Sequence, residues 1–399
     1  SGKQFEYPYF AFGVLIVNNV PFHGNQTITP YWPDGLINPK LSWEETKQFD
    51  AGLDLEFFGN RLSFELDYYY RYTDKLLAQV TLPGDYNAYI SQWQNAYAIS
   101  NQGIELQIKA DFVRSEKLHW DFSFNIARNW NRFEKSNNGM DFTNLASKHN
   151  LNIIGKPLNG IYVYNDQGYY NSQDEVPLYY VNGRRKYLSS LGNQIYTPGD
   201  RRIQDVDGNG QVATMVPLLE DRVYGGSPLP LAFGGIATTL KWKGIDVNLL
   251  FSYKLGRHVL NAGRGASVGT ILRANTAEMM VPILADLDKV SFWQKPGDNT
   301  DFPINELENG KNNFATNLKS NVEKINYLKL KSISIGYTLP VFPKQSKHYA
   351  RVFMSVENVV TITNSSSPDP ESIDIVTGVD SNNNYPLATR YTLGLTLNL

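Results

Sequence analysis

The sequence predicts an all-β fold, a transmembrane antiparallel β-barrel with long extracellular loops, and three observations predict it. Long stretches alternate strictly between apolar and polar residues, the period of an extended chain with two unlike faces. The connections between these stretches are short and long by turns. Aromatics reach 13%, with 25 tyrosines, while charged residues stay at 19%, under the ~25% usual in soluble domains. No run of about 18 apolar residues is present to cross a membrane as a helix, and mean hydropathy is −0.37. A barrel passes that test unseen, because only every second strand residue meets lipid.

The clearest stretch is residues 49–72. Phe49, Ala51, Leu53, Leu55 and Phe57 share one face and Asp50, Asp54 and Glu56 the other. After the tight link Phe58-Gly59-Asn60-Arg61, Leu62, Phe64, Leu66, Tyr68, Tyr70 and Tyr72 oppose Ser63, Glu65, Asp67 and Arg71. Period-two alternation around a Gly-Asn turn is a β-hairpin. In chain order, a first strand is expected at residues 5–17, followed by a Pro/Asn/Gly-rich loop. The hairpin then occupies 43–57 and 61–79. A loop at 82–97 holds Trp93, and strands follow at 103–112 and 118–130. A second hairpin at 231–242 and 245–255 turns on Lys243-Gly244. Strands at 327–339, 349–361 and 390–399 complete the set, the first with a phase slip near Lys331 and Ser332 that marks a bulge. Tyr68, Tyr70, Tyr72 and Trp242 suit an interfacial girdle.

Two stretches lose the alternation, residues 131–227 and 256–321, the second with a short helix expected at 276–287. Loops this long are functional or carry structure of their own, and pairing around 161–170 would belong to the first. Short turns at 59–60, 114–117, 243–244 and 340–346 alternate with the long connections, as periplasmic turns alternate with extracellular loops. The N-terminal Ser-Gly-Lys-Gln-Phe has neither a basic n-region nor an apolar h-region. No signal peptide is therefore expected within the chain; a membrane barrel would have lost its leader or be a piece of something longer.

Several function classes lose support. Without cysteine there is no disulfide, thiolate metal site or cysteine nucleophile. A net charge of −2 without a basic stripe gives no reason to expect nucleic acid. The five histidines form no H-E-x-x-H, and glycine-rich Gly263 to Thr270 lacks a P-loop lysine and any βα setting, so it reads as a loop. The strand carboxylates suit a wet channel wall better than an acid/base pair, and no enzyme is expected. Asp205-x-Asp207-x-Asn209-Gly210 has the spacing of calcium-loop positions 1, 3, 5 and 6. The acid at position 12 is replaced by Val216, leaving Glu220 or Asp221 to fold back; the plain alternative is a polar Asx turn. Loop aromatics Trp93, Tyr179, Tyr180, Trp293 and Phe302 are candidates for stacking on substrate, against the simpler reading of loop packing.

Six segments carry a family resemblance. Asn38-Pro39-Lys40-Leu41-Ser42-Trp43-Glu44-Glu45-Thr46 reads N-P-x-L-x-W-E-x-T. Gly52-Leu53-Asp54 runs to Tyr72 through Asn60-Arg61-Leu62, and Asn101-Gln102-Gly103-Ile104-Glu105 reads N-x-G-I-E. Pro198-Gly199-Asp200 precedes Asp205 to Gly210, Leu328-Lys329-Leu330-Lys331 leads to Leu339-Pro340, and Asp369-Pro370-Glu371 precedes Tyr385-Pro386. In this order they resemble SusC/RagA-family TonB-dependent outer-membrane transporters of Bacteroidetes-type bacteria. The resemblance implies that residues 1–399 are the C-terminal part, about the last ten strands, of a 22-stranded barrel. The plug, the TonB-contacting segment and the earlier strands would lie in a missing N-terminal part. It further implies import of glycans or peptides with a SusD-like surface lipoprotein as lid, TonB as the energy source, and outer-membrane lipid and the remaining half of the barrel as partners. Leu399 stands where such barrels usually end in Phe. A different class, a SusC-like barrel serving as a structural subunit of an outer-membrane assembly, is the alternative; a soluble β-rich binding protein is weaker.

Overall fold

The structure is a computed structural model that describes residues 20–22, 26–28, 38–81, 91–115, 117–136, 142–144, 149–181, 183–190, 193–212, 221–264, 291–304, 315–339, 349–381 and 385–398. The strand expected at 5–17, the helix at 276–287, the turn at 340–346, Val216, Glu220 and Leu399 lie outside the described residues.

Among the described residues, nine long strands form one sheet: β1 (Glu45–Phe57), β2 (Leu62–Thr81), β3 (Ser91–Arg114), β4 (Leu118–Ser136), β5 (Ala232–Trp242), β6 (Ile245–Asn261), β7 (Val322–Leu339), β8 (Tyr349–Thr363) and β9 (Arg390–Asn398). Each pairs antiparallel with the next in sequence. This order gathers the tight turns at one end of the sheet and the long connections at the other. The turns have the chemistry of hairpins: Lys243 and Gly244 both adopt positive φ, as a two-residue loop matched to the strand twist requires, while Phe58, Gly59 and Asn60, also at positive φ, belong to a four-residue link between the paired Phe57 and Leu62.

Register keeps like with like. Leu53 faces Leu66, which faces Leu106, which faces Ile126. Farther along, Leu240, Val247, Ile335, Met354 and Leu393 form an equivalent row. This face is open rather than packed, Ile335 being 50% and Leu393 79% exposed. On the opposite face Lys109 pairs with Glu65 at 2.9 Å and Arg351 with Asp246 at 2.5 Å. One residue breaks the alternation of β7: the register jumps from Leu330 to Ser332 against both neighbours, leaving Lys331 as a bulge.

β3 begins at Ser91, well before the predicted strand at 103, so Trp93 stands in a strand and not in a loop. At 24 residues β3 far exceeds the 9–11 needed to cross a bilayer, so its end near the long connections extends beyond any membrane. No helix among the described residues is long and apolar enough to cross one.

The connection from β4 to β5 folds on itself. Gly160–Tyr164 pairs with Arg222–Gly226 and Asn150–Ile153, and Phe142–Asn144 joins the edge. Asp166–Tyr169 pairs with Arg201–Ile203, and Leu178–Val181 with Arg184–Tyr187. Buried Tyr164, Tyr170, Val176, Leu188, Tyr196, Ile203 and Val212 make its core, closed by Leu318 from the second excursion. Among the described residues this is the largest buried apolar cluster; a smaller one of Val259, Ile325 and Ile373 joins β6 and β7 to the connection after β8.

Candidate functional site

The two excursions meet around a cavity of about 580 Å³. One wall comes from the ladder of Asp166–Tyr169 with Arg201–Ile203. Gly199 starts it: its positive φ turns the chain, and a Cβ there would stand 2.6 Å from the Trp293 ring. Asp200 follows, its Oδ2 accepting from the Thr197 N–H at 2.7 Å and Oγ1 at 2.8 Å. The strand then alternates, burying Arg201 and leaving Arg202 exposed at the cavity edge.

Arg201 donates to Asp166 at 2.9 Å, in a pair almost wholly out of water, and lies 5.4 Å over the Tyr169 ring. The other carboxylate oxygen of Asp166 accepts the Ser320 N–H at 2.9 Å. Across the cavity, Tyr169 donates its hydroxyl to the Thr300 carbonyl at 3.2 Å, and Asn171 Oδ1 accepts the Gly297 N–H at 2.7 Å. Burial pushes the Tyr169 phenol up despite the neighbouring Arg201, so it stays a neutral donor. Arg264 lies 3.4 Å from Asp301 and 6.0 Å over the Phe302 ring. Arginines 201, 202 and 264 stand against carboxylates 166, 175, 298 and 301, close to balance. Such a lining offers donors and acceptors to the hydroxyls or amides of a polar ligand, with no excess of one sign to select an ion.

None of the four sequence candidates lines this cavity; Phe302, from the wider aromatic set, does. Trp93 is half-buried on β3, its carbonyl accepting from Asn38 Nδ2 at 2.9 Å. Tyr179 packs on the loop core and against Gly210, and burial with Asp205 alongside pushes its phenol up to about 12. Tyr180 is exposed, its hydroxyl accepting from Arg185 Nε at 2.8 Å. Trp293 is buried beneath Gly199. The sequence reading passed over Tyr169, Asn171, Arg201 and Arg202. The available signal was that the last two follow directly on the Pro198-Gly199-Asp200 motif.

The acidic loop closes as its spacing suggests. Asp205 accepts the N–H groups of Gly208 and Gly210, both at 2.8 Å, and Asp207 that of Asn209 at 3.0 Å. Asn209 Oδ1 accepts from Gln211 at 2.7 Å. Asp221 folds back, buried, accepting the Val206 N–H at 2.9 Å, and brings a carboxylate oxygen within 4.8 Å of those of Asp205 and Asp207. Three oxygen ligands suit a hard cation, and each carboxylate keeps lone pairs beyond those the turn uses.

On the polar face of the sheet, Asp50, Tyr69, Arg71, Asn101 and Asn129 line a smaller hollow of about 370 Å³. Gln48 links them, accepting from Arg71 at 3.0 Å and donating to Asp50 at 2.6 Å. These contacts give a wetted wall and no catalytic pairing.

Comparison with known proteins agrees with this geometry. The family model described as "TonB dependent receptor-like, beta-barrel" matches residues 4–263. "TonB-dependent receptor P3" of Formosa agariphila is 29% identical over 94% of this chain and 36% of its own length. "TonB-dependent receptor SusC" of Bacteroides thetaiotaomicron is 24% identical over 90% of this chain and 32% of its own. Both are named as receptors and not as enzymes. The solved "Structure of the RagAB peptide transporter" superimposes with a TM-score of 0.67 at 22% identity, over 97% of this chain and 38% of that one. The chain spans about a third of the length of these relatives. Its sheet, its two unlike faces and its sequence together place it in one family: the chain belongs to the TonB-dependent receptor-like β-barrels.

Proposed function

We propose that this chain is the C-terminal wall and loop region of an outer-membrane, SusC-like importer of glycans or peptides. The observation that carries the reading is the exposed apolar face running across nine strands opposite a charged one, which suits lipid outside and water inside. In this reading residues 131–227 and 256–321 are extracellular excursions, and the cavity between them takes part in capture of cargo. A SusD-like surface lipoprotein closes over it, and TonB acts through the N-terminal part of the whole protein.

The test is uptake by cells carrying the whole receptor. Removing its TonB-contacting segment should abolish growth on the imported glycan or peptide, and Arg202→Ala should weaken capture while leaving the receptor in the membrane. Unchanged growth without that segment would sink the importer reading in favour of a structural subunit. The same proposal includes calcium at Asp205, Asp207, Asn209 and Asp221. Calorimetric titration should then show binding with a Kd of about 10⁻⁴–10⁻³ M, as in extracellular modules, lost in Asp205→Asn. A flat titration of the unaltered receptor would leave the loop a hydrogen-bonded turn.

A further inference from the structure

Two of the motifs named above, 40 residues apart in sequence, meet in space. Lys329 and Lys331 extend from the polar face of β7, opposite the exposed Val360 and Ile362 of β8. The Lys329 side chain is only 3% exposed; its ammonium lies 3.2 Å from Asp369 and 2.9 Å from Glu371. Lys331 holds Glu371 at 2.8 Å. One strand over on β6, Arg257 is 1% exposed and donates to the carbonyls of Pro228 at 3.0 Å, Ile373 at 3.4 Å and Asp374. Residues 364–381 are therefore pinned to the polar face of the sheet by buried cations from two strands. Burying an ammonium costs several kcal/mol unless its partners converge on it, and here two carboxylates do.

The far side of the same segment holds the loop unit. Val379–Asp380 pairs with Leu260–Asn261, and Val379 packs on the cluster of Ile161, Val163, Leu260 and Ala262. The Thr377 carbonyl accepts from Asn150 Nδ2 at 2.8 Å. Gly378 comes so close that a Cβ would lie 2.8 Å from Pro228. Gly160–Tyr164, buried along its length, then leads straight into Asp166 and Tyr169 of the cavity.

We infer that residues 364–381 are a wedge latched by Lys329, Lys331 and Arg257, and that these are positioning residues holding the cavity-bearing unit in a fixed place above the sheet. The device is independent of what the cavity binds, so it stands or falls apart from the importer reading.

The test uses the whole receptor, with any cysteine outside residues 1–399 replaced by serine and spin labels on cysteines introduced at the exposed Phe58 and Tyr180. Pulsed EPR of the otherwise unaltered protein should give one narrow distance distribution. Lys329→Gln should broaden it while the barrel keeps its heat-modifiable migration, and Lys329→Arg, which retains the charge, should restore the narrow peak. If Lys329→Gln fails to fold, Glu371→Gln is read by the same criterion. A narrow peak in a folded Gln variant, or broadening that the Arg variant does not reverse, overturns the latch.

Discussion

Arginine in place of Leu66 should lower the stability of the barrel in a phospholipid bilayer by about 2–4 kcal/mol, the cost of a cation on the lipid face near the midplane. The next residue is the control. Asp67 stands on the opposite face, and Asp67→Asn should change stability by no more than ~0.5 kcal/mol, as surface changes usually do. Leu66 sits in mid-strand, paired with Leu53 and Leu106, with a large part of its side chain uncovered by protein. In water such a position would tolerate arginine readily, so the contrast between neighbouring residues reports which medium each face meets. Urea unfolding followed by tryptophan fluorescence in liposomes measures it; equal effects at the two positions would contradict a lipid-facing wall.

Acid should release the segment at 364–381. Burial alone would push the Asp369 carboxyl up, but the N–H groups of Glu371 and Leu387 and the Lys329 ammonium outweigh it and hold it below the ordinary carboxylate range. Burial opposes Glu371 in the same way, and Lys331 and Lys329 bring it down. Asp374 is lowered first by the Thr377 N–H. Charges facing these groups from the packed strands are Lys254, Arg257, Lys329 and Lys331, with the phenol of Tyr327. Carboxylates held low in the folded state stabilise fully above their unfolded values of about 4, and that contribution is lost as pH falls through the lowered values. Hydrogen-exchange protection of residues 372–381 should therefore be flat from neutral pH to about 5 and collapse below about 4. Lys329→Met should bring the loss to neutral pH, costing about 3–5 kcal/mol because a buried carboxylate is left without its partner. Protection that persists at low pH, or in the Met variant, would mean that apolar packing and not charge seats the segment.

The parts of the fold legible in the sequence are those whose cause is local. Residues 49–72 state their own register through the contrast of their faces, and the slip at Lys331 shows as a break in that contrast. The early half of β3 was illegible for the converse reason. Ser91, Gln92, Asn95, Ala96 and Ala98 show no preference of face, and the strand extends there because β2 pairs with it from Ser91 and β4 joins from Tyr97, an effect of context over propensity. The cavity lay farther out of reach. Asp166 and Ser320 are 154 positions apart, and nothing in the polar run 165–171 announces that Tyr169 and Asn171 will staple residues 297–300. The acidic loop falls between: its spacing, its Asx-turn contacts and the return of Asp221 were readable, while the approach of its three carboxylates to one another depends on the fold. For the latch, the lysines and acids were visible as separate motifs. Their meeting required knowing that the connection after β8 turns back over the polar face.

The bulge at Lys331 resolves a conflict of odd and even within one strand. Lys329 and Lys331 are odd-numbered and must point to the polar side, yet Ile333, Ile335 and Tyr337, also odd, belong to the apolar side with even-numbered Leu328 and Leu330. Without an extra residue, one half of β7 would carry its side chains into the wrong medium, and each misplaced lysine in lipid costs about 2–4 kcal/mol. A single inserted position acts as a parity switch. It lets one strand serve two clients, an oily surface along one half and a charged anchor point along the other. The place where the wall changes its counting is also the place where it takes hold of the loops.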